Sequence, residues 1–169
     1  MDRHGDEDQD IPVHREGCRE WPEGMARMTF SSSHRFSFLT RAHPDRVWVA
    51  LTCPDTTPRY LLGMRLESAW TPGAPVKLSA PAGHSVVGEA IRIDRPRSLS
   101  FALEQGTAPC RIIGWELRSH LAGTIVRLSV DDVDGDCEEE VEDVWLPVVN
   151  ALQSLLAQPS GAVGGTGGT

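Results

Sequence analysis

The chain has 169 residues, of which 40% are hydrophobic, enough for one sizeable core, and its 24 acidic against 16 basic side chains give a net charge of -8. That balance, with no basic patch interleaved with aromatics, argues against nucleic acid as a partner. No run approaches the roughly 18 apolar residues of a bilayer span, and the N-terminal MDRHGDEDQD is acidic where a secretory signal is basic and then apolar. No membrane association and a cytoplasmic location are therefore expected.

Residues 1–28 mix charges, Pro12, Pro22 and several glycines without an apolar period, the composition of a flexible arm. The glycine-rich end, residues 159–169, reads as a flexible tail, which leaves 29–158 as the single expected domain. The chain's four cysteines, Cys18, Cys53, Cys110 and Cys137, are widely spaced, with no C-x-x-C pair and no histidine at ligand spacing. Neither a metal site, a disulfide framework nor a cofactor is expected.

The domain opens on TFSSSHRFSFLT, whose loose alternation around Phe30, Phe36 and Phe38 predicts a strand. AHPDRVWVALTCP follows. Pro44 suits a first helical position, Asp45 favours the positive end of the helix dipole, and Pro54 stops the run. Val47, Ala50 and Leu51 make one apolar face on a helix too short to stand alone, so it must cover a sheet.

Six further strands are predicted between residues 65 and 133, each ending in a turn signal: RLESAW, VKLSA, SVVGEAIRID, SLSFALE, CRIIGWELRS and TIVRLSVDDV. Period-two alternation puts Ile91 and Ile93 on an inner side with Leu99, Phe101, Leu103, Ile113, Trp115, Leu117, Val126, Leu128 and Val130. Arg92, Ser100, Glu116, Arg118, Arg127 and Ser129 take the other side, and Arg111 is also assigned outward, in solvent. This is an antiparallel meander with one covered face. The last element, CEEEVEDVWLPVVNALQSLLAQ, carries the strongest helical period, from Val141 through Trp145, Val148, Val149 and Leu152 to Leu156. Pro147 predicts a kink or a fresh start within it.

This order of elements resembles the START/Bet v1-like, or SRPBCC, superfamily, and RVWVALTCP, AWTPGAPV, GEAIRIDRPRSLSFAL and WELRSHLAGTIVRLSV each resemble one of its segments. The nearest subgroup is similar to the bacterial relatives of the Hsp90 ATPase activator. The resemblance covers most of residues 34–157. It implies an α+β helix-grip fold: a curved antiparallel sheet of about seven strands, two short helices and a long C-terminal helix, often around a cavity. Departures fall at RYLLG, where the subgroup has a tryptophan, and at Val130, where it has a histidine.

Three functions are compatible with that resemblance. The first is binding of a hydrophobic, polycyclic aromatic small molecule in an internal cavity, in natural-product (polyketide or enediyne) biosynthesis, transport or self-resistance. The second is a cyclase or dehydratase using acid–base residues of the pocket. The third is a protein-interaction module like the Hsp90 activator, which needs a surface patch instead of a pocket.

The expected ligand-binding set is Tyr60, Trp70, Glu89, Ile91, Phe101, Trp115, Leu117, Leu128, Trp145 and Val149; the same aromatics would serve equally as ordinary core. Trp48 reads as the anchor of its helix. Glu89 and Tyr60 are the catalytic candidates. Strand parity with Ile91 directs Glu89 inward, where desolvation would raise its pKa, whereas a bulge at Gly88 would return it to solvent, the preferred reading. In DDVDGDCEEEVED, Asp132, Asp134, Asp136 and Asp143 fall at calcium-loop spacing, but Cys137 occupies the position that requires glycine, so a solvated turn is expected. No nucleophile elbow, triad or paired carboxylates can be assembled. Whether the chain is an enzyme, and its oligomeric state, stay open at this point.

Overall fold

A computed structural model of the chain describes residues 30–105, 108–133 and 141–159. The flexible arm, most of the glycine-rich tail, and Asp134, Asp136 and Cys137 of the acidic run lie outside the described residues.

Seven strands form one curved antiparallel sheet: β1 (Phe30–Thr40), β2 (Arg65–Ser68), β3 (Pro75–Ser79), β4 (Ser85–Asp94), β5 (Ser98–Gln105), β6 (Ala108–His120) and β7 (Gly123–Val133). Their spatial order is β1-β7-β6-β5-β4-β3-β2. Strands β2 to β7 are the predicted meander, and β1 closes the far side by pairing with β7 from Phe30↔Val133 to Thr40↔Thr124. Helix α1 (Pro44–Thr52) and a 3-10 turn (Thr57–Arg59) separate β1 from β2, and helix α2 (Val141–Ala157) ends the domain.

Helix α1 starts where the sequence places it, with one addition. His43 is the N-cap, its imidazole accepting from the Asp45 amide at 3.3 Å. Val47, Trp48, Ala50 and Leu51 are buried against the sheet, in the neighbourhood of β6 and β2. Helix α2 runs through Pro147 without a break and buries Val141, Trp145, Val148, Val149, Leu152 and Leu156. It lies across β1 and reaches the Thr57–Arg59 turn. The C-terminal end of α2 is held from a distance. Arg46 of α1 donates to the carbonyls of Leu156, at 3.2 Å, and Gln158, and Arg59 donates to the Gln158 side chain at 3.0 Å. The last turn of α2 contains no basic residue of its own, so α1 supplies the cation that its negative end favours.

The main core lies between the two helices and the inner face of the sheet, and contains every inward residue expected of β5, the C-terminal half of β6, and β7. Two details of register depart from simple alternation. The β4–β5 ladder slips between Ala90 and Arg92, leaving Ile91 as the extra residue. The slip reverses the sides taken by the residues before it. Ala90 therefore packs in the main core, whereas Ile91 packs on the opposite face with Ala102, Ile112 and Val133. Ile91 and Ile93, expected on one side, lie on opposite sides.

Arg111 is the second departure. It has the parity of Ile113 and Trp115 and is buried on the inner face, where its Nε lies 2.6 Å from Asp132 Oδ1. Ser32 Oγ donates to the other carboxylate oxygen at 2.8 Å. Arg111 stands opposite Asp132 in the ladder, so a charge expected on the outer side, in solvent, is instead buried beside a carboxylate.

Candidate functional site

The predicted ligand-binding residues divide into three groups. Tyr60, Phe101, Trp115, Leu117, Leu128, Trp145 and Val149 are buried together in the main core, none more than 6% exposed. They belong to one cluster of buried side chains on the inner side of the sheet. Tyr60 meets Trp115 edge to face with centroids 6.5 Å apart. Its hydroxyl donates to the Leu51 carbonyl at 2.9 Å, and burial pushes its pKa well above the usual phenol range. The phenol is a neutral strut between α1 and the core. The Trp145 indole N–H is also buried and has no hydrogen-bond partner among the described residues.

Glu89 and Ile91 form the second group, and both point away from the main core. Glu89 is exposed, and a Cβ placed on Gly73 would lie 3.8 Å from its carboxylate. The outward direction agrees with the preferred reading, but the bulge responsible is at Ile91 and not at Gly88. A fully buried phenol and a solvated carboxylate share no surface, so Tyr60 and Glu89 are not brought together as an acid–base pair.

Trp70 stands alone as the third. It lines an open groove of about 410 Å³ together with Trp48, Val49, Thr52, Cys53, Ala69, Ile93 and Arg95. Three segments converge there: the C-terminal end of α1, the stretch between β2 and β3, and the turn from β4 to β5. Trp70 adopts φ +53°, a left-handed conformation that costs an L-residue about 1–3 kcal/mol and persists only where its surroundings enforce it. Here they do. The Trp70 amide donates to Ser68 Oγ at 3.1 Å and its indole N–H to the Thr52 carbonyl at 3.2 Å. The next residues are pinned by Gly73 N–H to Ala90 O, at 2.8 Å, and Ala90 N–H to Ala74 O, at 2.9 Å. Thus fixed, the indole sits in the groove wall and meets Phe101 of the core at 6.1 Å.

Sequence reasoning named Trp70 but missed its neighbours. In the sequence Trp48 reads only as a helix anchor and Arg95 only as part of a turn, because nothing local reveals that their segments meet. A second open concavity, of about 540 Å³, lies at the β6–β7 hairpin and is lined by Arg41, His43, Pro44, Ser119, His120, Leu121, Ala122 and Gly123. No group of three or more potential metal ligands occurs among the described residues, and no described helix is long and apolar enough to cross a membrane.

Residues 41–157 match the family described as Activator of Hsp90 ATPase homolog 1-like protein. The chain belongs to that family. Solved structures show how widely this Hsp90-activator-like fold is shared. The Aha1 dimer from Colwellia psychrerythraea is 14% identical with a TM-score of 0.63, over 77% of this chain and 99% of that one. An HSP90 activator from Plasmodium falciparum is 17% identical with a TM-score of 0.61, over 75% and 97%. CalU16 from Micromonospora echinospora is 20% identical with a TM-score of 0.57, over 75% of each chain. At these identities the likeness is one of fold. No curated protein matches the sequence. The Hsp90-activator-like domain thus has a family and an architecture consistent with the START/Bet v1 grip, on which the groove at Trp70 is a local feature.

Proposed function

We propose that this chain binds a flat, apolar small molecule, and that the groove at Trp70 is its recognition surface. One observation carries the reading: the half-buried Trp70, with Val49, Ala69 and Ile93 and an edge of the buried Trp48, borders an open space of about 410 Å³, and Trp70 is held there in a strained backbone conformation. That size falls within the range of small-molecule sites, and aromatic walls suit a polycyclic ligand. The proposal moves the site from an internal cavity to the rim of the core. Residues expected to line the cavity support the groove from behind, Phe101 through its contact with Trp70. A cytoplasmic place in natural-product biosynthesis, transport or self-resistance, as the superfamily resemblance implies, belongs to the same proposal.

The test is titration with 1,8-dihydroxyanthraquinone, read by tryptophan fluorescence. Saturable quenching is expected, with affinity reduced at least about tenfold in Trp70→Ala. Absence of quenching by this and a panel of related polycyclic quinones would overturn the reading.

A second reading, a protein-interaction module, is favoured by the family and by Leu121. That side chain is fully exposed at the tip of the β6–β7 hairpin, beside the second concavity. Its test is retention of Hsp90 by the immobilised chain and loss of that retention in Leu121→Ser. The enzymatic reading has less support, since its two candidate residues share no surface.

A further inference from the structure

Resting on the groove reading, we propose that the ligand is a planar aromatic anion and that Arg95 selects it: a two- or three-ring system carrying an acidic group. The walls are apolar, and their polar groups are largely committed. Thr52 Oγ1 donates to the Trp48 carbonyl at 2.8 Å, and the Thr52 carbonyl accepts the Trp70 indole N–H. Among the described residues, Arg95 and the Cys53 thiol are the ionisable side chains of the lining, which includes no carboxylate. On a chain of net charge -8 this local excess of positive charge favours an anion in the groove.

Arg95 has the chemistry for the task. It is exposed at the rim and takes part in no hydrogen bond or ion pair among the described residues, so its planar fork of donors is available to a carboxylate, sulfonate or phosphate oxygen. Its backbone is positioned by the turn from β4 to β5, where Arg97 N–H donates to Asp94 O and Leu117 N–H to Arg97 O, both at 2.7 Å. The groove is open, so the acidic end of the ligand stays at its wet edge while the rings lie against the half-buried Trp70. Such an arrangement avoids the cost of burying a charge and makes the electrostatic part of binding sensitive to salt.

The experiment compares two probes with the same rings on the full chain: 1-anilinonaphthalene-8-sulfonate and uncharged N-phenyl-1-naphthylamine, followed by their fluorescence. Arg95→Gln should weaken binding of the sulfonate about tenfold and of the uncharged probe less than about twofold, and Arg95→Lys should recover part of the loss. High salt should weaken only the sulfonate. Equal losses for both probes, or no loss for either, overturn the assignment to Arg95 while leaving the groove in place if Trp70→Ala abolishes binding. If neither probe binds the unmutated chain, the groove reading falls and this inference with it.

Discussion

At Tyr60 a single hydroxyl joins two parts of the molecule, since it is buried and donates to the last turn of α1. Tyr60→Phe should cost about 1–2 kcal/mol, because the Leu51 carbonyl loses a donor in a place water does not reach. Denaturant unfolding of the two forms at pH 7 measures it. The same burial carries a pH dependence. The folded-state pKa is raised above the ordinary value of 10.0, so below pH 10 the phenol is neutral in both states and contributes its full stability. Above pH 10 the unfolded chain loses the proton and the folded one keeps it. Stability should therefore fall as pH rises beyond 10, and Tyr60→Phe should remove that component of the slope. Equal slopes in the two proteins would show that the phenol ionises alike in both states. Arg111 makes the contrasting case at this scale. In the sequence it is given the outer parity, although it alternates in step with Ile113 and Trp115, and only the opposing strand shows that Asp132 stands across from it.

At the scale of the element, β4 and β5 approach more closely than side chains generally allow. A Cβ on Gly88 would lie 1.8 Å from the Ala102 carbonyl oxygen, a backbone atom that cannot turn aside. Gly88→Ala should separate the strands and cost about 3 kcal/mol, the upper part of the range for single substitutions. Gly83 provides the control. It has φ +92° but nothing within 4 Å of the added carbon, so Gly83→Ala should cost only about 1 kcal/mol, for its backbone conformation alone. Melting temperatures of the two variants separate these causes, and similar values for both would refute the close-approach argument. Most elements were legible in the sequence because alternation and the three-to-four spacing act within each segment. The bulge at Ile91 was not, because a single extra residue is defined only against the strand it pairs with. One such residue reversed the side that strand parity alone gives Glu89, an outcome that the sequence places at Gly88.

Across the whole molecule, α1 and α2 are separated by most of the chain, yet Arg46 joins them at the end of α2. Arg46→Ala should destabilise the protein by about 1–2 kcal/mol through loss of charge-assisted hydrogen bonds to carbonyls at the negative end of a helix. Amide hydrogen exchange should locate the change in the last turn of α2. Protection lost uniformly across the sheet instead would mean that Arg46 supports the fold generally and not that terminus. The clamp shows why the grip is a property of the whole chain: the end of α2 is held by a side chain from α1.

The amino-acid sequence by itself determined the order of the elements, the inner faces of β5 and β7, and the long helix, because periodicity and turn chemistry are local and each segment states its own apolar side. Its motifs also carried the resemblance that the family match supports. Tertiary structure alone decided that the interior aromatics pack on one another, that Glu89 faces water, and that Trp48, Trp70 and Arg95 border one groove. Those outcomes depend on volumes, register and the meeting of distant segments, and no single stretch of chain contains that information.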